Sequence, residues 1–509
     1  MSKARIYARN LAANWFGQAA GLVVLFFLSP FVVHTLGKTE YGIWSLLNVF
    51  TGYLGVFDLG VRASTGRYII LYLGRGDHER VGETLKTGLG FFSLLSLLIL
   101  AAAIGLGFAF PLLFPSSPPE YFGMVRLLLP LLALNVWLSA IGGAFASILA
   151  AHDRFDLSQG VDVAVLIVRT AATVAVLLAG HGIVGLTLVT VGASALAAVG
   201  TWWLARRIYP RLRVRPLRMS RGRLRELLGY GIAAFLGSVA IRVIGQADLL
   251  LVGILFNVQA VAVYSVGAML VWYMSPFVGH ISGTIFPAIQ RDAATDDMNS
   301  VRWTYLRLVM ISLVFGLPVY LGFVFFGDSF INLWMGREFS EAAIVIVILS
   351  ASKLILLVPI GAGQVLYATG NVWFTTAVTV VESVLKVTLA LVLVMALGWG
   401  LAGVAAGTLA AVLLARGVLL PWYAHRRIGL TNRTFAARAL VPGLLCGAAF
   451  AGWCALVRTV VPGGTWLLFA AQVALALLGY APLAMWLLVP RSDRMRVWGL
   501  LGVPAARKA

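Results

Sequence analysis

Residues 91–110 read FFSLLSLLILAAAIGLGFAF, a continuous apolar run without a charged side chain. An α-helix rises 1.5 Å per residue, so about 20 apolar residues cross the roughly 30 Å hydrocarbon core of a bilayer. The run has no alternation of apolar and polar residues, which a transmembrane barrel strand requires. Every backbone polar group at that depth must be hydrogen-bonded within the protein, so the segment is predicted to be a membrane-spanning helix.

The same pattern recurs along the whole chain of 509 residues, of which 61% are hydrophobic and 11% are charged. Soluble domains carry about 25% charged residues, so water is not the main solvent of this protein. The sequence therefore predicts an all-α, polytopic membrane protein with about 14 transmembrane helices. The predicted spans are 11–34, 41–61, 87–110, 123–149, 161–180, 183–204, 229–255, 260–288, 304–326, 342–367, 372–396, 400–421, 441–461 and 466–489.

The formal net charge of +20 is concentrated in alternate segments between these spans. Nucleic-acid binding would need a basic face on a soluble domain, and the spans leave no room for one. Segments rich in Lys and Arg stay on the cytoplasmic side of membrane proteins. We therefore predict that both termini are cytoplasmic and that nucleic acid is not a partner, whereas anionic membrane lipids are.

Two basic segments divide the chain into predicted regions. An N-lobe of six spans covers 1–204, and a basic cytoplasmic linker at 205–228 joins it to a C-lobe of six spans at 229–421. Residues 422–509 hold a basic loop, a final pair of spans and a cytoplasmic tail. The predicted architecture is two pseudo-symmetric six-helix lobes followed by a C-terminal helix pair.

The pseudo-symmetry is inferred from the first hairpin of each lobe. Setting Trp44 against Tyr264 aligns Ser45 with Ser265. Parallel repeats of this kind predict a pseudo-two-fold axis along the membrane normal and a cavity between the lobes. The alternative is a chance likeness between two short hairpins.

Two cations lie near the middle of predicted spans. At that depth an ionisable side chain costs about 2.5 to 3.5 kcal/mol unless it faces a partner or a wet cavity. Arg242 and Lys353 have no opposite charge on the same helical face, since Asp248 lies on another face of its helix. Arginine can hold a phosphate through two parallel hydrogen bonds, so we predict an anionic ligand. The candidate ligand-binding residues are Arg242, Lys353, Arg169 and Arg62.

Glu382 and Lys386 are four residues apart in one predicted span, an order that favours a structural ion pair. Arg416 lies near the end of its span, and its side chain is expected to extend outward to the cytoplasmic surface. We assign it no role in a site.

Two further pairs have helical spacing. Asp58 precedes Arg62 by four residues, and Asp162 precedes Arg169 by seven, which brings each pair to one helical face. They are either structural ion pairs or groups that couple transport to an ion gradient. The full set of residues with this dual interpretation is Asp248, Glu382, Lys386, Asp58 and Asp162.

The chain carries no motif typical of an enzyme. It has no phosphate-binding glycine loop followed by Lys and Ser or Thr, no His-Glu-x-x-His and no paired Cys-x-x-Cys. The predicted outer loops are too short for a catalytic domain. We expect no enzymatic activity, no cofactor and no metal site, and coupling to a gradient of H⁺ or Na⁺ stays open.

Several blocks spread along the chain carry a family resemblance. They are LGKTEYGIWSLLNVFTGYLGVFDLGVRASTGRYI at 36–69, QADLLLVGILFNVQAVAVYSVG at 246–267, FPAIQRD at 286–292, LWMGREFSEAA at 333–343, GAGQVLYATGN at 361–371 and GWGLAGVAAGTL at 398–409. Their order and content resemble the polysaccharide transporters, including O-antigen flippases, of the multidrug/oligosaccharidyl-lipid/polysaccharide exporter superfamily.

The resemblance implies two six-helix bundles around a central cavity, alternating access, and a cargo of sugar units on a polyprenyl pyrophosphate in a bacterial cytoplasmic (inner) membrane. Glycosyltransferases or a polymerase of a glycan pathway would then be partners. Related lipid II flippases place cations in the first span, where this chain has Asn14 and Gln18. The lipid II substrate is therefore less favoured.

Two other functions are open. A cation-coupled multidrug antiporter would share the fold, but it needs an acid deep in a lobe, and only Asp248 and Glu382 qualify. A non-transporting membrane assembly factor for glycan synthesis is the second alternative, although it leaves the mid-membrane cations without a purpose.

Overall fold

The computed structural model of the protein describes residues 3–58, 60–211, 219–490 and 494. Within these ranges the only regular secondary structure is helical. The α-helices are α1 (Lys3–Leu54), α2 (Val61–Gly74), α3 (His78–Leu113), α4 (Phe122–Ala151), α5 (Phe155–Leu178), α6 (Gly182–Ile208), α7 (Arg221–Leu255), α8 (Val258–Ala294), α9 (Met298–Trp334), α10 (Ala342–Leu356), α11 (Ile360–Ala368), α12 (Val372–Met395), α13 (Gly400–Ala411), α14 (Leu420–Ile428), α15 (Asn432–Phe435), α16 (Val441–Val460) and α17 (Trp466–Leu487). Two π-helical segments, Val412–Leu419 and Ala436–Leu440, join α13 to α14 and α15 to α16.

Twelve helices in the described part are long and apolar enough to cross a membrane, and the bent pair α10 and α11, with an angle of 41° between them, adds a thirteenth span. The first candidate, Phe16–Phe57, has 42 residues, about twice the length that crosses a bilayer once. Non-helical backbone at Gly37 divides it into two spans, so the described helices supply the fourteen segments expected. The all-α, polytopic fold class predicted from the sequence is confirmed.

Two glycines shape this first hairpin. Gly37 has φ 70° and ψ 172°, a conformation that side-chain-bearing residues rarely adopt, and it separates the two halves of α1. Gly42 packs against the start of α8, where an added Cβ would lie 1.8 Å from the carbonyl oxygen of Val258. The second half of α1 can therefore approach α8 only because residue 42 has no side chain.

The segment between the second and third spans contains a helix that the sequence analysis did not predict. This helix, α2, begins after Gly60, which is left-handed with φ 71°. It buries Val61, Ile69 and Tyr72 against α3 and α4 in a hydrophobic cluster that also contains Phe145. Fully burying a large apolar side chain contributes about 1.5–3 kcal/mol, enough to hold a short helix in place.

The described chain forms two compact units, Met1–Ala262 and Val263–Ala509. The first contains α1 to α7 and the first residues of α8, and α7 packs there against α1, α2 and α3. The second contains the rest of α8 and α9 to α17, with α9 in contact with α10, α11, α16 and α17. The lobes drawn from the sequence, with a linker at 205–228, remain a prediction.

Candidate ligand-binding sites within the membrane

Arg242 lies near the middle of the 35-residue helix α7, in the first unit. Its side chain is half-buried and makes no hydrogen bond or ion pair with a described residue. Tyr53 of α1 interacts electrostatically with both Arg242 and the buried Asp248. Sequence spacing put Arg242 and Asp248 on different faces of their helix, and Tyr53 of α1 lies within electrostatic range of both.

The neighbouring turn of α7 carries a second polar group. Gln246 lies one turn after Arg242, and an added Cβ at Gly52 of α1 would be 2.3 Å from its Oε1 atom. That oxygen is buried and accepts no hydrogen bond from the described part of the chain. An unsatisfied buried amide oxygen costs about 1–3 kcal/mol, so the close α1–α7 contact contains a polar atom without a hydrogen-bond donor in the described part of the chain.

The other two candidate ligand-binding residues of the first unit, Arg169 and Arg62, lie on other helices. Arg169 and Asp162 are both exposed on α5 and form no ion pair among the residues described. Arg62, at the start of α2, is exposed and its guanidinium lies against Gly143 of α4, where an added Cβ would be 2.5 Å from Nε. The side chain of its predicted partner Asp58 lies outside the described residues. The roles of all four as ligand-binding or ion-pairing residues remain predictions.

In the second unit, Lys353 of α10 lies over the ring of Trp272 in α8, with its Nζ 4.6 Å from the ring centroid. Trp272 is itself exposed. A cation on an aromatic face contributes about 0.5–1 kcal/mol at an exposed site and about 2 kcal/mol when desolvated. This contact holds the ammonium group at the surface of the unit, and its role in ligand binding remains a prediction.

Glu382 is 2% exposed in α12 and accepts a hydrogen bond from the Arg416 guanidinium, forming an ion pair. Lys386, one turn further along α12, is also 2% exposed. The expectation that Arg416 extends outward to the cytoplasmic surface is therefore wrong. Arg416 lies in the π-helical segment Val412–Leu419, and π-helical turns are frequent at functional sites. The signal available in the sequence was a single arginine within the apolar run LAAVLLARGVLL.

An apolar cavity of about 570 Å³ lies beside this cluster in the second unit. Apolar residues of α9, α10, both π-helical segments and α16 line it, among them Leu317, Ile355, Gly417 and Gly443. Such a cavity is suited to bind a lipid chain, since it offers few polar atoms and a large apolar surface.

Outside the spans, the start of α7 is tied to α2 and α3. Arg223 donates through Nη1 to the Tyr72 hydroxyl at 2.8 Å and to Glu226 Oε2 at 2.7 Å, and through Nε to Glu83 Oε2 at 3.1 Å. Tyr72 also donates to Glu226 Oε1 at 2.8 Å. Burial by itself raises the pKa of Glu226, but the hydrogen bonds from Tyr72 and Arg223 outweigh it, so its pKa lies below the ordinary 4.5.

The structure thus brings together some predicted residues and not others. Arg242 and Asp248 share Tyr53, and Glu382 lies one turn from Lys386. Sequence reasoning missed Tyr53 and Arg416 because each lies on a different segment of the chain from the residue that was singled out. It missed Gln246 because an uncharged side chain one turn from Arg242 did not stand out in the sequence. Gln18 is half-buried, and the side chain of Asn14 lies outside the described residues.

Comparison with known proteins agrees with this fold. The structure of the lipid II flippase MurJ in an inward closed conformation superimposes with a TM-score of 0.69 at 14% identity, covering 97% of this chain and 99% of MurJ. An inward-facing multidrug resistance MATE transporter gives a TM-score of 0.66 at 16% identity, covering 81% of this chain and 95% of that protein. The fold of this chain is therefore similar to that of both proteins.

Sequence comparison points to proteins of polysaccharide and glycan biosynthesis. The family described as polysaccharide biosynthesis protein matches residues 94–344. The uncharacterized membrane protein EpsK of Bacillus subtilis is 20% identical over 96% of each chain. The probable low-salt glycan biosynthesis flippase Agl15 of Haloferax volcanii is 23% identical over 36% of this chain and 39% of its own length. The resemblance to polysaccharide transporters of the multidrug/oligosaccharidyl-lipid/polysaccharide exporter superfamily is confirmed.

Proposed function

We propose that this protein is a flippase that moves an anionic saccharide, linked to a polyprenyl pyrophosphate, from one leaflet of the cytoplasmic membrane to the other by alternating access. The chain itself catalyses no covalent step. In this proposal it acts beside the glycosyltransferases or the polymerase of a glycan pathway, and both termini lie in the cytoplasm, where the basic segments are retained.

The observation that carries the proposal is the state of Arg242. A cation near the middle of a membrane-spanning helix is costly unless something neutralises it. Its half-buried side chain has no ion pair in the described structure, and Gln246 beside it has an unsatisfied oxygen. A pyrophosphate would accept two hydrogen bonds from the guanidinium.

The apolar cavity of the second unit supports the lipid part of the cargo. A polyprenyl chain is insoluble in water and has no polar groups to satisfy. The cavity lined by Leu317, Ile355 and Gly443 offers it an apolar surface within the same protein. Charge for the pyrophosphate and apolar surface for the chain are the two properties that such a cargo requires.

The names of the similar proteins agree with this cargo class. MurJ is a lipid II flippase, and Agl15 is named as a probable flippase of glycan biosynthesis. Lipid II is less favoured here, since the first span has Asn14 and Gln18 where the resemblance would expect cations.

The test is flipping of a fluorescent polyprenyl-pyrophosphate oligosaccharide in proteoliposomes. We expect the intact protein to flip the lipid, and Arg242→Ala to lose at least about tenfold in rate, the value of one charge-assisted hydrogen bond. Arg242→Lys should recover only part of it, because lysine cannot form the bidentate contact. The control is Arg207→Ala, an exposed arginine of α6 that lies over Trp203.

Two results would contradict the proposal. If Arg242→Ala, well folded and inserted, flips at the normal rate, the arginine is structural. If the intact protein flips no lipid-linked sugar, the assembly-factor alternative is favoured.

A cation-coupled multidrug antiporter is the second candidate, because the fold is shared with a multidrug transporter and Asp248 offers a buried acid. It predicts that an organic cation is exchanged across the proteoliposome membrane against H⁺ or Na⁺, and that Asp248→Asn stops the exchange. The positive charge of Arg242 near Asp248 argues against a cationic cargo.

A further inference from the structure

A second cavity of the second unit lies at one end of its helices. It has a volume of about 730 Å³ and is bounded by the start of α9, the π-helical segment Ala436–Leu440 and the end of α17. Three of its lining residues are arginines: Arg307, Arg438 and Arg494. None of its lining residues is acidic.

Two of these arginines are held by aromatic and backbone groups. The Arg307 guanidinium carbon lies 4.8 Å from the centroid of Trp303, and that of Arg494 lies 5.5 Å from the centroid of Trp486. Arg494 also donates through Nε to the carbonyl oxygen of Val489 at 2.9 Å. These contacts orient the two guanidinium groups.

The third arginine is the accessible one. Arg438 is exposed, and it forms no hydrogen bond or ion pair within the described structure. The wall beside it is apolar, with Met310 and Pro442 among the lining residues. The cavity lining therefore combines arginine side chains with apolar ones.

We propose that this cavity binds the headgroup of an anionic phospholipid of the surrounding bilayer. Trp303 and Trp486 are residues of the type that lies at the membrane–water interface, where phospholipid phosphates are found. Arginines between the ends of membrane helices are the usual recognition groups for such headgroups. The apolar wall accommodates the first carbons of the acyl chains, which a soluble phosphate does not possess.

This site is separate from the one proposed for transport. Its residues lie at the end of the spans, whereas Arg242 lies near the middle of α7 in the other unit. A bilayer lipid held here would stabilise the contact between α9, α16 and α17. Binding of a phospholipid headgroup at this cavity does not depend on whether the protein flips a saccharide.

The experiment measures the thermal unfolding midpoint of the full-length protein in detergent during titration with phosphatidylglycerol, phosphatidylcholine or inorganic phosphate. We expect saturable stabilisation by phosphatidylglycerol alone. Arg438→Gln should weaken its apparent affinity about fivefold, the contribution of one basic residue near an anionic lipid. Arg433→Gln is the matched control. Arg433 is also exposed and lies five residues before Arg438, but it does not line the cavity.

If Arg438→Gln lowers stability in the absence of lipid, Arg307→Gln serves as a second, independent variant. It should also weaken the apparent affinity for phosphatidylglycerol. Equal losses in Arg433→Gln and Arg438→Gln would overturn the proposal in favour of diffuse surface charge. Equal stabilisation by phosphatidylcholine, or by inorganic phosphate, would overturn it in favour of a non-specific lipid effect or a soluble-phosphate site.

Discussion

The two units differ in whether a charged side chain within a helix has an ion-pair partner. In the first, Arg242 is half-buried near the middle of its helix and has no ion pair in the described structure. In the second, Glu382 is 2% exposed and is paired with Arg416. Removing one partner of a buried ion pair is strongly destabilising, whereas a charge left without a counter-ion is available to a charged ligand.

The largest expected effect is on the stability of the second unit. Glu382→Ala leaves Arg416 without its carboxylate, and breaking a buried ion pair costs about 3–5 kcal/mol. We expect a large fall in the thermal unfolding midpoint of the detergent-solubilised protein. The double variant Glu382→Gln, Arg416→Gln removes both charges and should recover part of the loss. If Glu382→Ala is as stable as the intact protein, the pair does not hold α12 to the π-helical segment.

The second expected effect is on transport without a matching loss of stability. Arg242→Ala removes no ion pair, so its unfolding free energy should stay within about 1 kcal/mol of the intact protein. Its flipping rate should nevertheless fall about tenfold or more. Measuring both quantities on one preparation separates the two kinds of charge. A variant that loses stability and flipping together would place Arg242 with Glu382, among the structural charges.

A smaller effect is expected at Lys353. Trp272→Leu removes the aromatic face beneath the ammonium group and should cost about 1 kcal/mol in unfolding free energy. The same change in a Lys353→Met background should cost less, because the cation is already absent. Additive losses in the double variant would show that the contact contributes no stability.

The smallest effect concerns pH and the network at the start of α7. The pKa of Glu226 is lowered in the folded protein, so its contribution to stability is present above its ordinary value of 4.5 and is lost as pH falls through the folded value. The midpoint of unfolding should therefore decline below about pH 4.5. Glu226→Gln should flatten that decline, and Asp153→Asn is the control because it lies outside the network. An unchanged slope in Glu226→Gln would assign the acid sensitivity to other carboxylates.

Much of the fold was predictable because membrane spans are recognised locally. Each of the fourteen predicted segments matches a described helix, a half of α1 or a run of consecutive helices, since length and hydropathy alone decide whether a segment can cross the bilayer. The helix α2 was not predicted, because Arg62 and Arg67 interrupt its apolar pattern and its 14 residues are too few for a span. It is held by packing in the cluster around Ile69 and Tyr72.

The candidate sites were predictable only in part. A charged residue within an apolar run is visible in the sequence, so Arg242, Lys353 and Glu382 could be singled out. Their surroundings could not be, because Tyr53 lies far from Arg242 along the chain and Arg416 is separated from Glu382 by 34 positions. Those neighbours depend on how each helix is rotated about its axis against the next.

The sequence by itself determined that this chain spans a membrane many times, because transfer of each segment into hydrocarbon depends on its own composition. It also showed which charged residues lie within apolar runs. Only the tertiary structure decided which charges are neutralised. Helix packing brings Arg416 to Glu382 and leaves Arg242 with Tyr53 and Gln246 as its polar neighbours, since contacts between helices depend on rotation and depth that no single segment encodes.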